Sequence, residues 1–150
     1  MSYLLYEGGT FMTINEELTH ELLAFFNGFS SWENSIVRSS ELTVSEAHAV
    51  EVLGEHEKMN MKGLAQKLGV TTGTTTVTVD RLEKKNLAYR ESTKEDRRVN
   101  YIVLSDIGKN VFEEHHAYHL RLTEQMTSVL DDEEISQFLN TLKKINAETF

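Results

Sequence analysis

Large apolar residues fall at Leu18, Leu22, Phe25, Phe29, Trp32 and Ile36, in steps that alternate four and three residues. Such steps put all six side chains on one face of a helix, so the spacing predicts a helix over 15–37 with a continuous apolar seam. The pattern returns near the other end at Ile135, Phe138, Leu142 and Ile145, with Leu139 beside them. An Asp131-x-x-Glu134 spacing precedes it and suits a capping box. A lone subunit would leave both seams exposed, which suits them to pairing with a partner. Proline, the commonest helix interruption, occurs nowhere in the 150 residues.

The chain between the seams carries shorter elements. Thr43-x-x-Glu46 opens a short helix through about His56, and Asn60 can cap another through Leu68, with Gly69 ending it. In 70–86 six threonines and the alternation Thr76-Val77-Thr78-Val79 favour a strand by local propensity. The run Asp80-Arg81-Leu82-Glu83-Lys84-Lys85 is helical, however, and the preceding helix plus a short Gly-containing turn makes a helix-turn-helix arrangement, so a helix is predicted. Residues 87–91 and 100–104 alternate like two strands around the charged loop 92–99, which predicts a hairpin. Ser105 then caps a long helix to about Leu130.

Composition excludes several classes. The apolar fraction of 39% and charged fraction of 26% fit neither a disordered chain nor a membrane protein, and no apolar run approaches a spanning helix. Zero cysteines remove disulfides, thiolate catalysis and thiolate zinc sites together. The N-terminus lacks the basic lead of a secretory signal. A cytoplasmic protein is expected, with residues 1–14 as a floppy or docking arm. The net charge of −9 hides its distribution: residues 58–98 hold ten Lys and Arg against five Asp and Glu, and the rest of the chain five against 19. A basic block within an acidic chain is the footprint of a face that meets phosphates.

The runs Leu64-Ala65-Gln66-Lys67-Leu68-Gly69-Val70 and Val77-Thr78-Val79-Asp80-Arg81-Leu82-Glu83-Lys84-Lys85-Asn86-Leu87 are followed by Asp96-Arg97-Arg98 and by Leu104-Ser105. Together they resemble the MarR family of winged-helix regulators over nearly the whole chain. Two departures are modest. Asn86 stands where a Gly is usual, and Asn also accepts a left-handed conformation; Ser105 replaces the commoner Thr. The resemblance implies a mainly α fold with a small β-hairpin wing, a winged helix-turn-helix with N- and C-terminal dimerisation helices. Residues 15–150 would form one domain, with 15–38 and 105–150 dimerising and 43–104 as the DNA-binding lobe.

On that resemblance the second helix of the motif enters the major groove and the wing reaches the minor groove or backbone. Thr71, Thr72, Gly73, Thr74, Thr75, Thr76 and Thr78 then form the reading surface, through hydroxyls, methyls and a close helix start. In the wing, Asp96 would brace Arg98 for the minor groove, while Lys94, Arg97 and Arg90 contact phosphates. Arg81 is either a further DNA contact or a structural ion-pair partner. The partners implied are double-stranded DNA, a second copy of the chain and an effector, with no membrane. The implied role is a repressor on a pseudo-palindromic operator.

The effector stays open between alternatives. His115 and His119 stand at i and i+4, a spacing that lets two imidazoles meet one ion. With His48 and the cluster Glu113-Glu114-His115-His116-Ala117-Tyr118-His119 they resemble the zinc-responsive repressors of the family. A carboxylate such as Glu33, Glu41 or Glu114, or a water, would complete the set. Equally, His115 lies on a packing stripe with Ile107, Val111, Tyr118, Leu122 and Met126, where a buried histidine needs no metal. Glu46-Ala47-His48-Ala49-Val50-Glu51-Val52-Leu53-Gly54 and the Asp96-Arg97-Arg98-Val99 wing resemble the family's fatty-acid-synthesis repressors, whose signal would be an acyl chain on a carrier protein. A small apolar ligand is the remaining alternative. No cofactor is required for DNA binding itself. An enzyme is not expected, because no phosphate loop, nucleophile elbow or His-Glu-x-x-His pattern is present. The alternative from another class is a helical protein-interaction module that does not bind DNA.

Overall fold

The computed structural model describes residues 3–5, 11–92 and 100–149. It is mainly helical with a small antiparallel sheet, as the sequence predicts. The chain divides into two compact units, Met1–Ala47 and His48–Phe150. That cut falls inside the helix Val44–Gly54.

The first unit begins with strands β1 (Tyr3–Leu5) and β2 (Phe11–Thr13), which pair antiparallel with Leu4 opposite Met12. The arm expected from sequence therefore contains a short ladder. Thr13 ends β2 and also caps helix α1 (Ile14–Val37). Its backbone N–H donates to Glu16 Oε2 at 2.7 Å while its hydroxyl accepts from Glu16 N–H at 3.2 Å, a complete capping box. The Thr13 backbone N–H, and after it the Thr13 hydroxyl, which also donates to Glu16 Oε2, hold the pKa of the Glu16 carboxyl below its ordinary value. The seam of α1 runs as predicted, and Leu18, Leu22 and Phe25 are more than half exposed. Phe29 is half-buried, with its ring centroid 6.3 Å from Phe25 and 5.6 Å from Trp32. Helix α2 (Val44–Gly54) opens with a second box, Thr43 N–H donating to Glu46 Oε2 at 2.7 Å.

The second unit holds the core. After α2 come β3 (Met59–Asn60), α3 (Met61–Leu68), α4 (Thr72–Lys84), β4 (Ala88–Ser92), β5 (Asn100–Leu104), α5 (Asp106–Thr127) and α6 (Asp132–Thr149). The sheet order is β3-β5-β4, all antiparallel, with Ala88 opposite Leu104 and Arg90 opposite Ile102. Strand β3 was not anticipated, since two residues cannot show an alternation. Ala49, Val50, Leu64, Val79, Leu82 and Ile102 are all wholly buried. Helix α3 starts on the Asn60 cap and ends at Gly69 with φ +66. Asp131 and Glu134 exchange the predicted capping bonds before α6, each 2.9 Å. Phe138, Leu139, Leu142 and Ile145 are 40–50% exposed and α6 buries no residue.

One turn joins α4, β4 and α5. Asn86 has φ +58, the left-handed conformation its side chain tolerates. Its carbonyl accepts from the Ser105 hydroxyl at 2.6 Å, and that same oxygen caps α5 by accepting from Gly108 N–H at 3.0 Å. Gly108 passes so close that an added Cβ would lie 1.9 Å from the Leu87 carbonyl oxygen, which already accepts from Ser105 N–H. Gly108→Ala should therefore destabilise the second unit by about 1–3 kcal/mol through forced backbone movement. Thermal denaturation of the variant beside the wild type checks this, and an unchanged Tm would contradict it.

Candidate nucleic-acid interface

Helix α4 is the centre of the site. Thr71 caps it, its hydroxyl accepting from Thr74 N–H at 3.2 Å. The β-branched run folds as helix because one face is buried: Thr75, Val79 and Leu82 are wholly inaccessible and Thr78 nearly so. Packing of that face outweighs strand propensity, a difference of at most about 1 kcal/mol per residue. The hydroxyls that would compete with the backbone are absorbed by it. Thr75, Thr76 and Thr78 each donate to the carbonyl four residues earlier, at 2.9, 2.8 and 3.2 Å.

The predicted reading surface therefore divides. Thr71, Thr72, Gly73, Thr74 and Thr76 are exposed, whereas Thr75 and Thr78 belong to the core and cannot touch DNA as placed. Residue Val77, which the sequence reading passed over as part of a strand-like alternation, is half exposed beside Thr76. The signal was available, because Gly73, Val77 and Arg81 stand at successive i+4 positions.

The charged side chains divide as well. Arg81 is exposed and pairs with no described carboxylate, which favours a role in contact with DNA over the structural one. Lys62, Lys67 and Lys84 are exposed in the same unit. Arg90 is different. It reaches from β4 back to α4, donating to Asp80 Oδ1 at 2.7 Å and to Glu83 Oε2, while its backbone N–H donates to Glu83 Oε1 at 3.1 Å. Flanked by two carboxylates, it is a clamp between recognition helix and wing rather than the phosphate contact expected. Lys94, Asp96, Arg97 and Arg98 lie outside the described residues.

The histidines expected to meet a metal are also partly brought together. His115 is buried on α5, and its Nε2 lies 3.1 Å from Nε2 of His119. At that distance one ring donates and the other accepts. Two neighbouring tetrahedral zinc ligands at about 2.0–2.1 Å from the ion stand roughly 3.3 Å apart, so the pair fits a bidentate zinc grip. His48 is exposed on α2 and forms no metal-sized group with them. His116 turns elsewhere, its Nδ1 2.7 Å from Glu51 Oε1 and its ring stacked on Phe112 at 5.4 Å. That contact ties α5 to α2.

The model of the MarR family matches residues 42–99. The chain is 30% identical over 104 residues to the HTH-type transcriptional repressor MdtR of Bacillus subtilis, covering 69% of this chain and 67% of that protein. It is 27% identical over 119 residues to the HTH-type transcriptional regulator MhqR of the same organism, covering 78% and 82%. Among solved structures, a MarR family protein from Bacillus stearothermophilus superposes with a TM-score of 0.78 at 26% identity, covering 88% of this chain and 92% of that one. Streptococcus pneumoniae FabT, in a crystal structure with DNA, shares the fold at a TM-score of 0.81 and 24% identity, covering 89% and 95%. The protein is a winged helix-turn-helix regulator. It belongs to the MarR family, and it is a transcriptional regulator rather than an enzyme.

The two arginines give opposite expectations. Arg81→Ala should weaken DNA binding and flatten the slope of log affinity against log salt by about 0.9, the loss of one phosphate contact, with Tm unchanged. Arg90→Ala should lower Tm and loosen the wing, seen as faster amide exchange in β4. Equal Tm losses in both variants would contradict the assignment.

Proposed function

We propose that the protein is a ligand-responsive repressor that binds a pseudo-palindromic DNA operator as a homodimer, with α4 in the major groove and the wing beside it. One observation carries this reading: α4 is anchored on its buried face and presents an outward row of Thr72, Gly73, Thr76, Val77 and Arg81. The shared fold of FabT, solved on DNA, supports the docking mode, and the name of MdtR supports repression. The exposed seams of α1 and α6 supply the apolar surface a dimer would cover. Two recognition helices related by a two-fold would meet half-sites about one duplex turn apart. A cytoplasmic location follows from that role. Among the described residues no helix is long and apolar enough to cross a membrane.

Fluorescence anisotropy on the duplex upstream of the protein's own gene tests the reading. Tight binding with a steep negative salt slope is expected, and reporter expression should rise when the gene is deleted. Binding indifferent to salt, or none, would return the protein to the class of helical interaction modules.

Zinc is the effector that a side-chain arrangement favours, through the 3.1 Å pair His115 and His119. Bound there, zinc would fix α5 by bridging two of its turns. Control of fatty-acid synthesis by a carrier-bound acyl chain rests on the sequence resemblance alone. The small apolar ligand has a cavity of about 520 Å³ near Leu53, Tyr89 and Phe112, but Glu55, Glu57, Glu91 and Glu113 line it and suit an apolar guest poorly. Added zinc should change DNA affinity at least several-fold, and His115→Ala with His119→Ala should abolish the response without loss of zinc-free binding. Affinity indifferent to zinc and chelator would make the pair structural.

A further inference from the structure

The threonines of α4 have different hydrogen-bonding capacity. A hydroxyl owns one hydrogen, and those of Thr75, Thr76 and Thr78 are given to carbonyls of their own helix. At the middle of the exposed face stand Thr76, left with its methyl and the lone pairs of its oxygen, and Val77, 50% exposed with two methyls. The other large apolar residues of α4, Val79 and Leu82, are wholly buried, so Val77 is outward against the pattern of its own helix. A single exposed valine is ordinary on a protein surface. Here it stands one turn after Gly73, where the backbone is bare, and one turn before the exposed Arg81.

The rest of α4 offers few of the usual reagents for other bases, since its carboxylates Asp80 and Glu83, which could accept from cytosine, are engaged by Arg90. Thr72–Lys84 contains no Asn or Gln, the side chains that pair bidentately with adenine, and its Arg and Lys come only in the last turns. In the major groove, thymine is the base that presents a methyl group. We propose that Thr76 and Val77 form a methyl surface that reads thymine 5-methyl groups, so that each half-site carries thymine where the middle of α4 crosses the groove. This rests on the DNA-binding reading above and assigns what that site selects.

The test enriches a duplex pool of random sequence with the full-length wild-type protein, then replaces half-site thymines one at a time by deoxyuridine. The replacement keeps base pairing and removes only the methyl. At one or two positions affinity should fall about fourfold, the worth of one buried methyl. Val77→Ala should weaken binding to the thymine duplex by about four- to tenfold and become indifferent to uracil at its position, with the salt slope unchanged. Thr76→Ser, which keeps the hydroxyl, should lose uracil sensitivity at the neighbouring position. Uracil tolerated at every position within twofold would overturn the proposal, as would full uracil sensitivity retained in both variants. A pool that enriches no duplex would overturn the DNA-binding reading itself, a different failure from enrichment without fixed thymines.

Discussion

The turn at Asn86 and Leu87 is the constraint on which the second unit depends. Within two residues the recognition helix ends, the wing begins, and both carbonyls are taken by the start of α5. A left-handed residue is needed to reverse the chain so sharply, and a residue without Cβ is needed at Gly108 to let α5 come so near. With Arg90 bridging to Asp80 and Glu83, α4 is fixed to the wing from both ends of β4's first three residues. Helix α4 is therefore held to β4 by both the turn and the Arg90 ion pairs. The same contacts pack the start of α5 directly against the turn that ends α4.

The same packing explains why a threonine-rich helix can exist. Threonine costs helix stability because its hydroxyl competes with the backbone and its branched Cβ crowds the preceding turn. In α4 three hydroxyls resolve the competition by bonding carbonyls within the helix, and burial of Val79 and Leu82 supplies the apolar face that holds it. The exposed face then carries methyls, the hydroxyls of Thr72 and Thr74, one glycine and, toward the C-terminal end, the exposed cations Arg81 and Lys84.

Much of this was legible in the chain. The caps at Asn60, Ser105 and Asp131 sit where the sequence put them, and both terminal seams follow their spacing. The missed elements have specific causes. Strands β1 and β2 are three residues each, too short for alternation to show, and the Thr13-x-x-Glu16 box that starts α1 was not read from the sequence. Within α4 the positions were assigned to DNA without a helical projection, which sends Thr75 and Thr78 inward. Arg90 was read as a phosphate ligand because charge alone does not reveal that Asp80 and Glu83, ten and seven residues earlier, come back beside it through the chain reversal. The histidine pair was found by its spacing, whereas His48 was placed with it by analogy and, among the described residues, joins no metal-sized group with it.

The central claim is that the outward face of α4 meets DNA while its inward face stays in the core. Methyl-labelled threonine and valine NMR spectra, recorded as an enriched duplex is added, test it most directly. The account predicts that the Thr72, Thr76 and Val77 methyl signals shift or broaden while those of Thr75, Thr78 and Val79 hold their positions. Shifts confined to the inward set, or an α4 unchanged while a tight complex forms, would contradict it.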